Sequence, residues 1–158
     1  MRDAWRTGFT FGLTSGIITT LGLIVGLHAG THSRAAVIGG ILTIAVADAL
    51  SDALGMHVAQ ESGGRHTGRE VWEATVATLL SKFLFALTFA APMLALPLGP
   101  AVGLSILWGL LLLALLSYRI ARARGVEPWR VILEHLVIAV AVIGLTHLVG
   151  DWIGTMVT

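Results

Sequence analysis

The chain has 158 residues, 56% of them hydrophobic and only 12% charged, with a mean hydropathy of +0.87. Ten Lys and Arg with nine Asp and Glu are too few to cover a water-soluble domain of this size, and a formal net charge of +1 offers no footprint for nucleic acid. The absence of cysteine excludes disulfides and thiolate metal sites.

A bilayer core about 30 Å thick takes about 20 apolar residues per helix. Runs of that length predict an all-α integral membrane protein: a single-domain bundle of five transmembrane helices at Gly8–Leu27, Ala35–His57, Val71–Leu98, Ala101–Tyr118 and Val131–Thr155. They are too long for barrel strands, and lipid offers an open backbone no hydrogen-bond partners. The first run is also too long, and too rich in Thr and Gly, for a cleavable leader.

The first span repeats glycine every four residues, as Gly8, Gly12 and Gly16 and again as Gly22, Gly26 and Gly30. Small residues at this spacing let helix backbones approach closely. The ladder therefore predicts either a homodimer seam at Gly8, Gly12 and Gly16 or packing against another helix of the same chain. The same span carries Thr14, Ser15, Thr19 and Thr20, hydroxyls that in membrane helices often bond back to their own backbone.

The second span holds the strongest chemical signal. Asp48 and Asp52 are four residues apart and share one helical face, which Met56 continues. A carboxylate near mid-span costs about 2.5–3.5 kcal/mol on insertion scales, and such residues usually mark ion or substrate pathways. Two of them a turn apart call for a proton or a cation between them. Ser15 lies at a matching depth on the first span, so a metal site of Asp48, Asp52, Ser15 and Met56 is expected. Hydrogen bonding to neighbouring helices is the structural alternative.

The connection Gln60–Glu70 and the start of the third span carry Glu61, His66, Glu70 and Glu73, a candidate collection point for cations, or else an ordinary solvated loop. Lys82 is expected to snorkel to the interface. Pro92 should kink or end the third helix, and Pro97-Leu98-Gly99-Pro100 should turn tightly into the fourth. Early in the last span, Glu134 and His135 suit a proton relay or pairing with arginines such as Arg130. Near its far end His147 and Asp151, four residues apart, suit an ion exit. Trp129 and Trp152 fit interfacial aromatic belts.

Nine of the ten basic residues fall on one side of this layout, with only Arg34 opposite. The positive-inside rule then puts the N-terminus in the cytoplasm and the C-terminus outside. A minimal chain suggests a prokaryotic plasma membrane.

The stretches Gly12-Leu13-Thr14-Ser15-Gly16-Ile17-Ile18-Thr19-Thr20, Gly26-Leu27 and Ala49-Leu50-Ser51-Asp52-Ala53-Leu54-Gly55 resemble the vacuolar iron transporter (VIT/CCC) family. The likeness covers the first two spans, with Thr146-His147-Leu148-Val149-Gly150 in the last. It implies five helices, dimerisation about the first helix, and export of ferrous iron or manganese from the cytosol in exchange for protons. The chain departs from the family in having Ser15 where an Asp is usual and Asp52 where a Met is usual, and in lacking a cytosolic metal-binding insertion. Oxygen ligands in place of a thioether favour harder ions such as Mn²⁺ or Mg²⁺.

The sequence thus predicts a divalent metal transporter of the Fe²⁺/Mn²⁺ class, a proton antiporter and homodimer. It needs no prosthetic group, takes the metal as substrate, and is not an enzyme. The alternatives are a non-transporting partner subunit with structural aspartates, or an intramembrane metal-dependent enzyme. Asp-x-x-x-Asp also occurs in membrane alcohol phosphotransferases, but Thr31 to Ala47 lacks the second acidic pair they require.

Overall fold

A computed structural model describes residues 2–157, all-helical and without strands in that range. The helices are α1 (Arg2–Thr31), α2 (Arg34–Ser62), α3 (Gly68–Thr88), α4 (Ala90–Ala95), α5 (Leu98–Arg124) and α6 (Pro128–Val157). With α3 and α4 taken as one interrupted span, five segments are long and apolar enough to cross a membrane. Four of them run beyond the apolar stretch seen in sequence, whereas the third begins three residues before Val71 and ends at Ala95, three short of Leu98. At 1.5 Å per residue the 30 residues of α1 measure about 45 Å, longer than the hydrocarbon core is thick.

The α3–α4 break has a local cause. Pro92 has no N–H, and its ring would meet the carbonyl four residues earlier, which belongs to Thr88. The α-helix stops at that residue, Phe89 N–H turns back to Ala86 O at 3.2 Å, and helix resumes at Ala90. Leu96, preceding Pro97, is extended (φ −123°, ψ 160°). Pro97–Pro100 is not the separate turn expected from sequence. Pro97 caps α5, and Gly99 and Pro100 already form its first turn, where a missing N–H leaves no bond unmade. At the other end of α5, Gly125 takes the left-handed conformation (φ 67°) and its N–H reaches back to Ala121 and Arg122.

Helix α1 is the axis of the bundle, with Ile17, Leu21 and Ile24 essentially inaccessible. Its two glycine ladders serve two neighbours. A Cβ on Gly8, Gly12 or Gly16 would run into Ala74, into Thr78 and Ser81, or into Lys82 respectively, all on α3. Gly22, Gly26 and Gly30 instead receive Val142, Thr146 and Gly150 of α6. The ladder read as a dimer seam is therefore filled by α3 of the same chain, and no second copy can approach it without displacing that helix. α1, α3 and α6 run parallel, α2 and α5 antiparallel to them. The start of α1 and the α2–α3 and α5–α6 connections consequently share one end of the bundle, which carries the arginines. Arg34 stands at the far end, where its Nη2 donates to Leu96 O and ties α2 to the end of α4.

Helix α2 buries one narrow stripe, Val37, Ile41, Ala45, Ala49 and Ala53. A second stripe of small residues, Gly39, Thr43, Ala47, Ser51, Gly55 and Ala59, is exposed along its whole length. A Cβ on Gly39 or Gly55 would meet nothing within 4 Å.

Candidate functional site

The α2 aspartates face the α1–α3 seam, and a third ionisable group meets them there. Lys82, fourteen residues into the α3–α4 span, lies about 21 Å along it and therefore at its middle. Its side chain is 1% exposed. Snorkelling is not an option at that depth, and the ammonium turns inward. Nζ lies 2.5 Å from Asp52 Oδ2 and 2.6 Å from Asp48 Oδ2. It also donates to Ser15 Oγ at 2.9 Å, while Ser15 donates to Asp52 Oδ2 at 2.6 Å. Gly16 makes this closure feasible, since any side chain there would press on the Lys82 stem.

Three helices thus contribute to one cluster: a hydroxyl from α1, two carboxylates from α2 and an ammonium from α3. Such a pair offsets the cost of burying charge only when its geometry and hydrogen bonds are good. Asp52 meets that condition. Asp48 meets it less well, because its Oδ2, 2.6 Å from the ammonium, is out of line for a hydrogen bond. The two carboxylates also keep 28% and 22% of their side chains exposed, on the flank beside the small-residue stripe of α2.

The structure brings together Ser15, Asp48 and Asp52 as the sequence suggested, and adds Lys82 where a cation was expected. Met56 follows one turn along α2, half-buried and outside the hydrogen-bonded cluster. Of the other hydroxyls of α1, Thr14 and Thr19 bond to carbonyls of their own helix, at Thr10 and Ser15. Thr20 is buried without a partner.

The residues proposed as a cation collection point have other tasks. Glu70 closes a capping box with Thr67 at the start of α3, and Glu73 binds Arg69 at 3.1 Å. Glu61 is exposed and faces His57 at 4.0 Å. His57, which sequence reasoning passed over, lies between Glu61 and the cluster, with Nδ1 3.0 Å from Thr75 Oγ1 and its ring edge-on to Trp72.

Glu134 and His135 sit across α1 from the cluster, in a cleft of about 640 Å³ that Arg6 and Arg124 also line. His135 Nδ1 pairs with Ser117 Oγ at 2.7 Å. The arginines make this cleft a poor route for a cation, and Arg130 binds Glu127 rather than Glu134. At the far end, His147 and Asp151 form a half-exposed pair at 3.4 Å, and the rings of His28 and His32 lie 5.5 Å apart. Among the described residues no group of three His, Asp or Glu side chains is arranged to hold a metal.

No family model, no curated protein and no solved structure matches the chain.

Proposed function

We propose that this chain is a membrane cation transporter of the divalent-metal class, exchanging Fe²⁺ or Mn²⁺ for protons at Asp48 and Asp52. One observation carries the reading: two carboxylates converge on a buried cationic group near the middle of an apolar span, and both keep part of their side chains exposed. Ionisable groups are kept at that depth chiefly where they bind or relay ions. The Lys82 ammonium takes the place of the cargo between transport events. It is a point charge on a flexible stem, able to withdraw when a divalent ion competes for the same oxygens. The resemblance of the first two helices to vacuolar iron transporters points to the same class. Glycines 8, 12 and 16 being engaged by α3, the second copy belongs on the small-residue stripe of α2. There it would cover the exposed flanks of Asp48 and Asp52, which lipid solvates badly.

A non-transporting subunit is the second reading. It is favoured by the internal satisfaction of Asp52 and Lys82, which leaves no obligatory place for a ligand. Uptake of Mn²⁺ into proteoliposomes holding this chain alone separates the two. Transport should exceed that of empty vesicles, fall at least tenfold in Asp48→Asn and Asp52→Asn, and be unchanged in Glu61→Gln. Flux no greater than in empty vesicles, or flux indifferent to both aspartate substitutions, would remove the transporter reading.

A further inference from the structure

On the side of α1 away from the aspartates, the arginine-bearing end of the bundle opens into two adjoining clefts. One, of about 350 Å³, lies between α1 and α5; the other, of about 640 Å³, extends from there to α6. Their origin is geometric. The first half of α1 is held by α3 and its second half by α6, so α1 and α6 meet at Gly22–Gly30 and diverge toward the arginine end. Helix α5 comes close to α1 at Gly109, where Leu21 fills the space a side chain would need.

Arg6 lines both clefts, Arg119 the first and Arg124 the second. None of the three has a carboxylate within ion-pairing distance among the described residues. Thr10, common to both clefts, has a hydroxyl without a partner in the same range. Glu134 is the one acidic side chain present, so the lining is net positive. The positive-inside rule explains how many arginines stand at this end. It does not require them to gather around a cleft, and Arg65 and Arg122, at the same end, line neither. The floor between these charges is apolar, formed by Trp5, Phe9, Leu116 and Ile120. Arg6 and Arg119 are within about two turns of their helix ends, the level of lipid headgroups.

We infer that these clefts are a binding site for one anionic phospholipid. Its phosphate is held by Arg6, Arg119 and Arg124 with the Thr10 hydroxyl, and an acyl chain lies along Trp5 and Ile120. Planar guanidinium groups suit phosphate, which they can bind through two parallel hydrogen bonds. A free anion would use the arginines but gain nothing from the apolar floor, so the amphipathic lining selects the lipid. This site is independent of the transport reading.

The test uses the full chain in phosphatidylcholine nanodiscs with or without phosphatidylglycerol. Brominated phosphatidylglycerol should quench Trp5 more strongly than brominated phosphatidylcholine, the Trp5 component being obtained by difference from Trp5→Phe. Arg6→Gln and Arg119→Gln, on separate helices, should each weaken that preference by more than the roughly fivefold worth of one basic residue merely near an anionic surface. Arg122→Gln, which touches neither cleft, should weaken it by no more than that. Equal quenching by the two lipids in the unmodified chain overturns the site without reference to any variant. An effect of Arg122→Gln as large as that of Arg119→Gln would reduce it to diffuse surface charge. Inorganic phosphate that abolished the preference would show a site for the free anion instead.

Discussion

Lys82 holds its ammonium inside the bundle, 1% exposed, against two carboxylates. A single basic residue eleven positions into an apolar run looks like one that climbs back to the interface, because long side chains often do. The rise per residue says otherwise: eleven residues from Val71 is about 16 Å, beyond the reach of a lysine side chain to the nearer surface. Once the ammonium is committed to the interior it needs partners, and among the described residues the acids that meet it are Asp48 and Asp52. The aspartates and Ser15 were legible from spacing and depth alone. What spacing does not reveal is which neighbouring helix turns toward them, and that depends on the glycines of α1. The energetics then rank the substitutions. Lys82→Met leaves two facing carboxylates with no cation and should destabilise the protein by about 3–5 kcal/mol, the usual cost of removing one partner from a buried pair. Asp52→Asn leaves one ammonium against one carboxylate and should cost less. Unfolding midpoints in detergent give the order, and the reverse order would mean that the cluster is not held by charge. If the site accepts a divalent ion, Mn²⁺ should stabilise Lys82→Met by more than the wild type, where the ion must first displace the ammonium.

At the scale of the elements, five apolar spans and their order were plain in the sequence, while their ends were not. Hydropathy marks where lipid begins, whereas a helix ends where its backbone finds a cap, as at Thr67 and Gly125. The glycine ladders were equally visible, but a spacing of four states only that some backbone comes close. The engagement of Gly8, Gly12 and Gly16 by α3 gives a sharp contrast between two substitutions. Gly12→Leu forces a side chain into the Thr78 backbone and should destabilise the protomer by about 3 kcal/mol or more, above ordinary overpacking. Gly55→Leu meets open space and should leave the protomer's stability nearly unchanged. If the α2 stripe is the seam between copies, Gly55→Leu should yield monomers in cross-linking while Gly12→Leu loses folded protein. Dimers that persist in Gly55→Leu would place the seam elsewhere.

For the molecule as a whole, the distribution of basic residues predicts orientation. With the arginine-bearing end in the cytoplasm, a C-terminal tag should be accessible on intact cells and an N-terminal tag only after permeabilisation. The opposite pattern would invert the bundle, and with it the leaflet from which the α1–α5–α6 clefts draw lipid. The cluster of Ser15, Asp48, Asp52 and Lys82 also bears on how such a chain is made. Synthesis runs from the N-terminus, so the hydroxyl and both acids leave the ribosome before the lysine does. The span least suited to lipid, on account of its central ammonium, arrives when its counter-charges are already waiting at the same depth. Helix α1 presents a groove of glycines beside them, wide enough for a backbone to slide in. A bilayer would then receive the third span against protein rather than as bare lipid-facing helix, and the order of the helices along the chain would itself help to make a buried lysine tolerable.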